Sequence, residues 1–535
     1  MSAPPDARTV PALVDELAAR HGQREALVGG GRRLSYAALR EEVRACARGL
    51  LALGVAPGDK VALLMGNLPE WIIADFAATA IGAVMVGVNT WATARELEHV
   101  LAHSDTRVLI TSGDFLKADY LAMLDAMQPR AARLPALREV VLVGPRRHPG
   151  CRGWAEVLAA GAALDDATLD AAMAAVAPTD VAYLLYTSGS TALPKGVLLQ
   201  HYALIENMWH IGERQHVSER DRVWLAVSMF WSFACENALF NVVTHGGCIV
   251  LQEHFDAGEA LALIERERCT LFYGTPNMAQ ALYEHPERAT RDLSCLRSGA
   301  TLGSAEQIMR VVELGAREIC NIYGLTETYG NCTVTDAGDP LELRLRSVGR
   351  ALPGVELRII DADSGAECAA GEAGEIRVRG YVLTEYFKDP AQTAAAFDAA
   401  GYFRTGDIGY LDADGYLYFR GRSKEMVKTG GINVAPVEIE EILLAHPAVK
   451  LAFCTGVPDA VRDEIIGAVI VTRPGAEVTA AALVEHCRAA LAAYKVPRLL
   501  RFVAEHELPL TTTGKLQKNR LAATFFSEHD GRAAS

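Results

Sequence analysis

The sequence lacks an excess of basic residues. Its 535 residues include 52 lysines and arginines against 66 aspartates and glutamates, which gives a formal net charge of −14 at pH 7. An acidic chain gains no general electrostatic attraction to nucleic acids or to anionic membrane surfaces. We therefore expect no nucleic-acid partner, and any anionic ligand has to be held by local cationic side chains.

Three further patterns are missing: C-x-x-C pairs, a signal-peptide pattern and long uninterrupted apolar runs. The 11 cysteines are scattered without a C-x-x-C pair, which disfavours a zinc or thioredoxin-type site and indicates a reducing compartment. The N-terminal segment MSAPPDARTV has no basic stretch followed by an apolar core. The apolar stretch 71–88 contains Asp75, Gly82 and Gly87, which predicts a buried helix and strand rather than a membrane span. We expect a cytoplasmic protein without stable membrane insertion.

Short apolar runs alternate with amphipathic helical patterns, in a chain whose 50% hydrophobic and 22% charged residues are typical of globular proteins. The candidate strands are 60–65, 84–88, 108–111, 223–228, 248–252 and 270–274. The candidate helices are 11–20, 36–51 with Ser35 as its N-cap, 68–80, 94–103 and the Ala-rich segment 155–176. This alternation predicts an α/β fold in which parallel strands are joined by right-handed crossovers.

The pattern changes after about residue 341. Residues 408–411 and 416–420 flank an Ala-Asp-Gly turn and predict a β-hairpin, and the glycine-rich, charged segment 421–431 predicts a hinge. Beyond it, strand patterns alternate with helical patterns. We expect an N-terminal body of packed βαβ-type subdomains plus a small β-barrel-like part, and a small α+β C-terminal domain. The expected boundaries are 1–420 for the body, 421–424 for the hinge and 425–535 for the C-terminal domain.

A hydroxyl-rich loop follows the apolar run 181–185. Its sequence, YTSGSTALPKG from Tyr186 to Gly196, places four hydroxyl residues around a glycine and ends in Lys-Gly. Backbone N–H groups near a glycine, hydroxyls and a lysine can together cradle phosphate groups. The loop is not a Walker A motif, which requires G-x-x-x-x-G-K-(S/T). Taken alone, it is also compatible with an ordinary Ser/Gly turn.

This loop resembles the signature (S/T)-S-G-(S/T)-T-G-x-P-K-G of the adenylate-forming superfamily, which contains acyl-CoA synthetases, nonribosomal-peptide adenylation domains and luciferases. One position departs from the signature: Ala192 stands where glycine is usual, and its methyl group restricts access to positive φ angles. The resemblance implies that the loop holds the β- and γ-phosphates of ATP. The residues implied are Thr187, Ser188, Gly189, Ser190, Thr191 and Lys195.

Further segments resemble the motifs of the same superfamily in the same order and cover almost the whole chain. Residues 323–328, YGLTET, resemble its Y-G-x-T-E motif. The resemblance implies that Tyr323 stacks on adenine, Thr326 bonds the α-phosphate and Glu327 helps to hold Mg²⁺. The side chains suit these roles, since magnesium prefers hard oxygen ligands. Without the other motifs, the segment could be a glycine turn beside a helix start.

Two later segments resemble nucleotide-contacting motifs. Thr405-Gly-Asp407 resembles the T-G-D element, whose carboxylate accepts hydrogen bonds from the ribose hydroxyls. Residues 421–425 resemble the hinge motif, in which Arg422 contacts the ribose or a phosphate and Lys424 is the pivot. The alternatives are an ordinary Gly-Asp turn and a solvated cluster of charges.

The C-terminal part resembles the two segments that exchange places between the half-reactions. In residues 428–440, the resemblance implies roles for Lys428, Gly430, Gly431 and Asn433 near the adenylate and the pantetheine arm during thioester formation. Residues 508–516, LPLTTTGKL, resemble a P-x-x-x-x-G-K motif, which makes Lys515 the expected catalytic lysine of adenylation.

The resemblance also implies an acyl pocket formed by segments 229–237, 298–302 and 324–331. The residues expected to line it are Phe230, Trp231, Phe233, Ser298, Tyr329 and Gly330. Those expected beside the nucleotide are Gly299, Ala300, Thr301, Asn321 and Gly324. Such a pocket suits an aliphatic, alicyclic or aromatic acid, and with Glu236 as the only acidic residue of 231–237 an α-amino acid is disfavoured. Plain core packing is the alternative explanation of these aromatic residues.

The activity implied is ATP-dependent activation of a small carboxylic acid to acyl-AMP with release of pyrophosphate, followed by transfer to the thiol of CoA. The C-terminal domain is expected to be mobile, because relatives rotate it between the two steps. A carrier-protein thiol is an alternative acceptor, and the sequence leaves a homodimer open. A degenerate homologue that only binds a nucleotide or acyl ligand is a third hypothesis, favoured by Ala192 alone.

Overall fold

The computed structural model describes residues 3–187, 194–429, 432–459, 462–511 and 516–527. The chain divides into two compact units, Met1–Glu356 with Val378–Phe403 and Leu357–Arg377 with Arg404–Ser535. The sequence placed its boundary near residue 420, and that boundary stays a prediction. None of the described helices combines the length and the apolar character that a membrane crossing requires.

The first unit alternates helices and strands. Its strands are β1 (Glu25–Gly29), β2 (Arg32–Ser35), β3 (Lys60–Leu64), β4 (Val84–Gly87), β5 (Thr106–Thr111), β6 (Asp114–Phe115), β7 (Ala118–Asp119), β8 (Glu139–Leu142), β9 (Arg152–Gly153), β10 (Val181–Thr187), β11 (Lys195–Gln200), β12 (Arg222–Leu225), β13 (Cys248–Leu251), β14 (Leu271–Tyr273), β15 (Ser298–Thr301), β16 (Cys320–Tyr323), β17 (Thr333–Val334) and β18 (Arg350–Ala351).

Its α-helices are α1 (Val10–His21), α2 (Tyr36–Ala52), α3 (Pro69–Ala80), α4 (Ala94–His103), α5 (Tyr120–Ala126), α6 (Arg130–Arg133), α7 (Trp154–Gly161), α8 (Asp166–Ala174), α9 (His201–Arg214), α10 (Leu239–Thr244), α11 (Ala257–Glu267), α12 (Pro276–Glu284), α13 (Ala305–Glu313), α14 (Leu341–Arg346) and α15 (Pro390–Ala396). A π-helical turn, Phe233–Ala238, precedes α10, and 3-10 turns span Pro286–Thr290 and Thr326–Thr328.

Two large sheets organise this unit. One has the order β18-β17-β16-β15-β14-β12-β13-β1-β2, and the other has the order β11-β10-β4-β3-β5-β8-β9. The strands from β16 to β1 in the first sheet, and from β10 to β9 in the second, pair in parallel. The predicted α/β fold with crossover helices is therefore confirmed.

Burial of apolar side chains from strands and helices holds the sheets in place. Trp224 and Phe272, on neighbouring strands, pack in one core cluster with Ile264 of α11, Leu282 of α12 and Ile308 of α13. All five side chains are almost wholly buried. Because helices cover the parallel strands, the strands read as nearly continuous apolar runs.

The second unit contains the longest strands of the molecule as described, β25 with 11 residues and β26 with 10, and few helices. Its strands, including three that extend across the border (β19, β20 and β21), are β19 (Glu356–Ile360), β20 (Gly374–Arg379), β21 (Phe403–Leu411), β22 (Leu417–Arg422), β23 (Val427–Thr429), β24 (Ile432–Val434), β25 (Val449–Asp459), β26 (Asp463–Thr472) and β27 (Leu499–Phe502). Its α-helices are α16 (Pro436–Leu444), α17 (Ala480–Ala490) and α18 (Leu521–Phe525). Its 3-10 turns are Ser423–Glu425, Ala493–Lys495, Glu505–Glu507 and Lys518–Arg520.

Two sheets form in this unit. Strands β19, β20, β21 and β22 make a four-stranded sheet. Strands β24, β23, β26 and β25 form the second sheet, and β27 pairs with β26. Within the segment 421–431, which the sequence predicted as a hinge, residues 427–429 form β23, which pairs with both β24 and β26. The hinge role stays a prediction.

Local sequence signals explain the helix boundaries. Ser35 caps α2 as predicted, since its hydroxyl accepts a hydrogen bond from the Ala38 amide at 3.2 Å. Thr93 and Glu96 form a reciprocal capping box at the start of α4. The predicted Ala-rich helix 155–176 is instead two helices, α7 and α8, because Asp165 caps a new helix.

A buried carboxyl lies inside the helix that the sequence marked as apolar. Asp75 of α3 is 0% exposed, and its Oδ2 accepts a hydrogen bond from the Tyr183 hydroxyl at 2.5 Å. Its Oδ1 has no hydrogen-bond partner within the described part of the chain. Burial raises the pKa of Asp75 well above its ordinary value of 3.8, so the folded state retains a proton that the unfolded chain releases.

We expect Asp75→Asn to stabilise the protein increasingly as the pH rises. In the wild type, stability is lost as the pH rises above the ordinary value of 3.8 towards the raised folded-state pKa, because the unfolded chain then binds fewer protons. Asparagine has no proton to retain and keeps an oxygen acceptor for Tyr183. Thermal unfolding of both proteins from pH 5 to pH 8 checks this, and a gain that does not change with pH would contradict it. Tyr183→Phe is the control, expected to destabilise by about 1–3 kcal/mol through loss of the partner.

Candidate active site

The predicted phosphate loop lies between two paired strands. Strands β10 and β11 are antiparallel, and Thr187 faces Lys195 across the last pair of their register. The strands therefore bring the first hydroxyl and the lysine of the motif together. The predictions for Ser188, Gly189, Ser190 and Thr191, and the departure at Ala192, fall on positions outside the described residues.

Tyr386 connects this loop with the predicted metal-binding residue. Its hydroxyl donates a hydrogen bond to Oε1 of Glu327 at 2.9 Å, and the Lys195 ammonium lies 5.6 Å from the centre of its ring. The segment around it runs beside β11, since the Phe387 amide donates to the Gly196 carbonyl at 2.8 Å. Burial is the main cause that raises the pKa of Tyr386, and the charge of Glu327 is the second, so the hydroxyl remains a donor.

The chemistry of Glu327 fits a magnesium ion. The residue lies in the 3-10 turn after β16 and is half-buried. Within the described residues, no group of three or more His, Cys, Asp or Glu side chains could form a complete protein cage for a metal. Magnesium is usually bound through one or two carboxylates plus substrate phosphates and water, so a single glutamate beside a phosphate loop is a suitable donor.

The loop after β16 is fixed by its own hydrogen bonds. The Leu325 amide donates to Oγ1 of Thr328 at 2.9 Å, and Oγ1 of Thr326 lies 3.4 Å from Oγ of Ser232 in a predicted pocket segment. Tyr323, at the end of β16, is 8% exposed, and Gly324 follows it. The loop therefore holds the predicted nucleotide residues in a defined backbone conformation.

Tyr329 and Gly330 both adopt left-handed backbone conformations, with φ of 52° and 76°. A Cβ atom on Gly330 would lie 1.9 Å from Nδ2 of Asn237, so this position requires glycine. The Tyr329 side chain is 1% exposed, and its hydroxyl accepts a hydrogen bond from the Gln200 amide at 2.7 Å. The predicted role of both residues in the acyl pocket stays a prediction.

The predicted nucleotide residues of β15 and β16 are buried. Gly299 has a φ of 120°, and a Cβ atom there would lie 2.0 Å from the Phe272 carbonyl oxygen. Thr301 donates its hydroxyl hydrogen bond to the Gly274 carbonyl at 3.0 Å. Asn321 donates a hydrogen bond to the Ser347 carbonyl at 2.8 Å, and the Ser298 hydroxyl lies 3.0 Å from the Gln215 carbonyl. Ala300 is 0% exposed. The polar side chains of these strands therefore bond backbone carbonyls, and contacts of the strands with a ligand stay predictions.

An aromatic cluster occupies the segment predicted to line the acyl pocket. The rings of Phe230 and Trp231 lie 5.2 Å apart, and Trp91 lies 5.5 Å from each of them. Phe233, in the π-helical turn, packs against Tyr273 at 5.1 Å. Trp91 lies outside every motif that we recognised, so only the folded chain reveals it as part of this cluster.

Glu236, in the same π-helical turn, is 0% exposed. Neither of its carboxyl oxygens has a hydrogen-bond partner within the described residues. Burial is the main cause that raises the pKa of Glu236 well above its ordinary value, and the charge of Glu327 is the second. Burial therefore disfavours the charged form of this carboxyl, the form that would pair with a substrate ammonium group.

In the second unit, Asp407 and Arg422 are brought together by a hairpin. The two residues face each other across β21 and β22, with Oδ1 of Asp407 3.4 Å from Nε of Arg422. The Asp407 side chain is 4% exposed and its amide donates to Oγ1 of Thr405 at 3.0 Å. Two motifs that the sequence identified separately therefore form one carboxylate–guanidinium site.

The remaining predicted residues of the second unit lie on or near β23. Lys424 is in the exposed 3-10 turn Ser423–Glu425, and Lys428 is an exposed residue whose amide donates to Oε2 of Glu464 at 2.7 Å. Lys428 faces Asn433 in the β23–β24 register. The predictions for Gly430, Gly431 and Lys515 fall outside the described residues.

Family models match most of the chain. A model described as "AMP-binding enzyme" matches residues 14–387, and one described as "AMP-binding enzyme C-terminal domain" matches residues 438–515. The chain belongs to the AMP-binding enzyme family.

Relatives and solved structures agree with this assignment. "Putative acyl-CoA synthetase YngI" of Bacillus subtilis (strain 168) is 34% identical over 530 residues, 96% of each chain. "Medium-chain acyl-CoA ligase ACSF2, mitochondrial" of Macaca fascicularis is 32% identical over 540 residues, 96% of this chain and 86% of the relative.

Among solved structures, the anthranilate CoA ligase AuaEII in complex with anthranoyl-AMP superposes with a TM-score of 0.84 at 27% identity, covering 97% of this chain and 98% of that chain. ATP-bound MatB from Rhodopseudomonas palustris gives 0.84 at 27% identity, covering 98% and 100%. These likenesses confirm the predicted superfamily, the fold class and the activity class of an AMP-forming acyl-CoA synthetase that uses ATP and CoA.

Proposed function

We propose that this member of the AMP-binding enzyme family activates an aliphatic, alicyclic or aromatic carboxylic acid with ATP and transfers the acyl group to CoA. The observation that carries the proposal is that Tyr386 contacts both Lys195 and Glu327, beside the end of β10 at Thr187. The place where pyrophosphate leaves needs a cation to offset the phosphate charge and a carboxylate to hold a phosphate-bound metal ion.

In the first half-reaction, a carboxylate oxygen of the substrate attacks the α-phosphorus of ATP. The bond between the α-phosphorus and its bridging oxygen breaks, and pyrophosphate leaves. Lys195 and the loop hydroxyls offset the charge of the departing phosphates, while Thr326 donates to the α-phosphate. We assign Lys515 to the role of bridging the carboxylate and the α-phosphate. A magnesium ion held by Glu327, when bound, would neutralise phosphate charge.

In the second half-reaction, the thiol sulfur attacks the carbonyl carbon of acyl-AMP. The carbon–oxygen bond to the phosphate breaks, AMP leaves, and the thiol proton passes to solvent. We assign the segment from Lys428 to Asn433 to this step, with Gly430 and Gly431 giving room for the pantetheine arm. Lys424 would absorb the change in backbone dihedrals between the steps.

The side chains around the π-helical turn support the proposed substrate class. The cluster of Trp91, Phe230 and Trp231 offers apolar surface to the acyl chain. Burial of Glu236 disfavours its charged form, which supports the expectation that an α-amino acid is not the substrate. The names of the relatives, a medium-chain acyl-CoA ligase and an anthranilate CoA ligase, are compatible with an apolar or aromatic acid.

Acid-dependent exchange of labelled pyrophosphate into ATP tests the proposal. We expect exchange with some members of a panel of medium-chain, alicyclic and benzoic acids, and none above background with the matching α-amino acids. Mass spectrometry should then find the acyl-CoA product and AMP. Absence of exchange with every acid would support the alternative of a homologue that only binds its ligands.

The acceptor is tested separately, with free CoA compared against a phosphopantetheinylated carrier protein at equal thiol concentration. We expect faster product formation with free CoA, and the opposite order would favour the carrier-protein alternative. A homodimer and a cytoplasmic location stay predictions of the sequence.

A further inference from the structure

A buried ion pair lies just after the C-terminal lysine motif. The ammonium of Lys518 is 2.9 Å from Oε1 and 3.1 Å from Oε2 of Glu440. It also lies 3.8 Å from Oε2 of Glu425, in the 3-10 turn that contains the predicted hinge lysine. The side chains of Lys518 and Glu440 are 22% and 11% exposed, so water screens their attraction only weakly.

Glu440 is itself fixed in the core of the second unit. Its Oε1 accepts a hydrogen bond from the Cys454 amide of β25 at 2.8 Å. Its neighbours on α16, Ile439 and Leu443, belong to the same core cluster as Cys454. Burial lowers the pKa of Lys518, but the Glu440 carboxylate more than offsets this, and the lysine stays charged.

The backbone next to Lys518 pairs with the segment that precedes the G-K motif. Leu510 and Leu516 form an antiparallel bridge, and the Gln517 amide donates to the Pro509 carbonyl at 2.8 Å. The chain before the G-K motif is therefore joined to the chain directly after it. Lys518 directly follows Gln517 of this pairing, and Lys515 stands three positions before Lys518 in the sequence.

We propose that Lys518 is a positioning residue for adenylation: its ion pair with Glu440 anchors the paired segments 509–511 and 516–517 to α16 and to Glu425, in the turn that contains the predicted hinge lysine. This inference rests on the proposed function, in which Lys515 acts in the first half-reaction. A loose anchor misplaces the lysine, and an error of about 1 Å can cost about 100-fold in rate.

The variant Lys518→Met removes the charge and keeps an unbranched side chain. We expect it to lower kcat for acid-dependent pyrophosphate exchange by about 10- to 100-fold, with little change in KM for ATP. Thiolysis of supplied acyl-AMP should stay within about threefold of the wild type, because Lys515 has no part in that step. Lys518→Arg should recover most of the rate.

Lys495→Met is the matched control. Lys495 pairs with Glu438 on the same helix, at 2.7 and 2.8 Å, and its side chain is also 22% exposed. Loss of the Lys495 ammonium removes an equivalent ion pair from α16 and leaves the pairing of 509–511 with 516–517 unchanged. We expect its pyrophosphate exchange to stay within about twofold of the wild type, so a comparable loss in both variants would overturn the proposal.

Hydrogen exchange gives a readout that does not depend on activity. In Lys518→Met, peptides that cover 505–520 should exchange faster, since the Gln517 amide loses protection, while peptides from β25 and β26 should not change. Unchanged exchange in 505–520 overturns the anchor even if the enzyme is active. A wild type without any acid-dependent activity contradicts the proposed function instead, and hydrogen exchange then still decides the anchor. If Lys518→Met fails to fold, the same peptides are measured in Glu440→Gln.

Discussion

Replacing Lys515 by alanine is expected to lower acid-dependent pyrophosphate exchange by about 10²- to 10³-fold, the cost of removing one preorganised charge donor. Charge develops on the α-phosphate and on the attacking carboxylate in that step, and Lys515 is the residue assigned to both. Thiolysis of supplied acyl-AMP should remain largely intact, because the C-terminal lysine is expected to leave the site before the thiol attacks.

Lys428→Ala is the paired variant for this prediction. Lys428 belongs to the segment assigned to thioester formation, so its loss should slow thiolysis more than pyrophosphate exchange. Both half-reactions are measured on each variant, with purified acyl-AMP for the second. An equal loss of both rates in Lys515→Ala would contradict the assignment of separate residues to the two steps.

Glu327→Gln is expected to lower the adenylation rate by about 100-fold. Glutamine has the same shape but no charge, so it is a much weaker donor for a hard divalent cation. The Mg²⁺ concentration that gives half of the maximal rate should rise with it. Measuring the exchange rate across a magnesium titration separates the two effects, and an unchanged magnesium dependence would contradict the assignment of Glu327 to the metal.

Tyr386→Phe is the matched control for Glu327. It removes the hydroxyl that donates to Oε1 of Glu327 but keeps the ring beside Lys195. Since it loosens a ligand rather than deleting one, we expect a loss of about 10-fold, at the lower end for an outer-shell partner of a metal ligand. A loss as large as that of Glu327→Gln would show that the hydroxyl has a more direct role.

The sequence predicted those parts of the fold that are determined by residues close together in the chain. The strands 60–64 and 84–87 follow from short apolar runs, and α2 begins where a serine can cap it. The Asp407–Arg422 pairing was accessible in principle, because the Ala-Asp-Gly turn predicts the hairpin and the hairpin sets the register. In each of these cases the residues that decide the outcome are close together in the chain.

Contacts between distant segments could not be predicted in this way. Tyr386 reaches Glu327 across 59 positions and Lys195 across far more, and nothing in its own segment marks it as functional. Trp91 joins Phe230 and Trp231 only once β4 and its following loop are placed. The carboxyl of Glu236, which has no hydrogen-bond partner among the described residues, depends on its surroundings in the folded protein, which a sequence pattern does not report.

The close contact between Gly330 and Asn237 limits how this enzyme could be engineered for new acids. Any larger residue at 330 would collide with Nδ2 of Asn237, which donates to the Tyr329 carbonyl at 3.3 Å. A substitution at 330 that reshapes the predicted acyl pocket would thus require a coordinated change at Asn237. In that predicted pocket, libraries that vary Trp91, Phe230 and Trp231 are the alternative route to an altered substrate range.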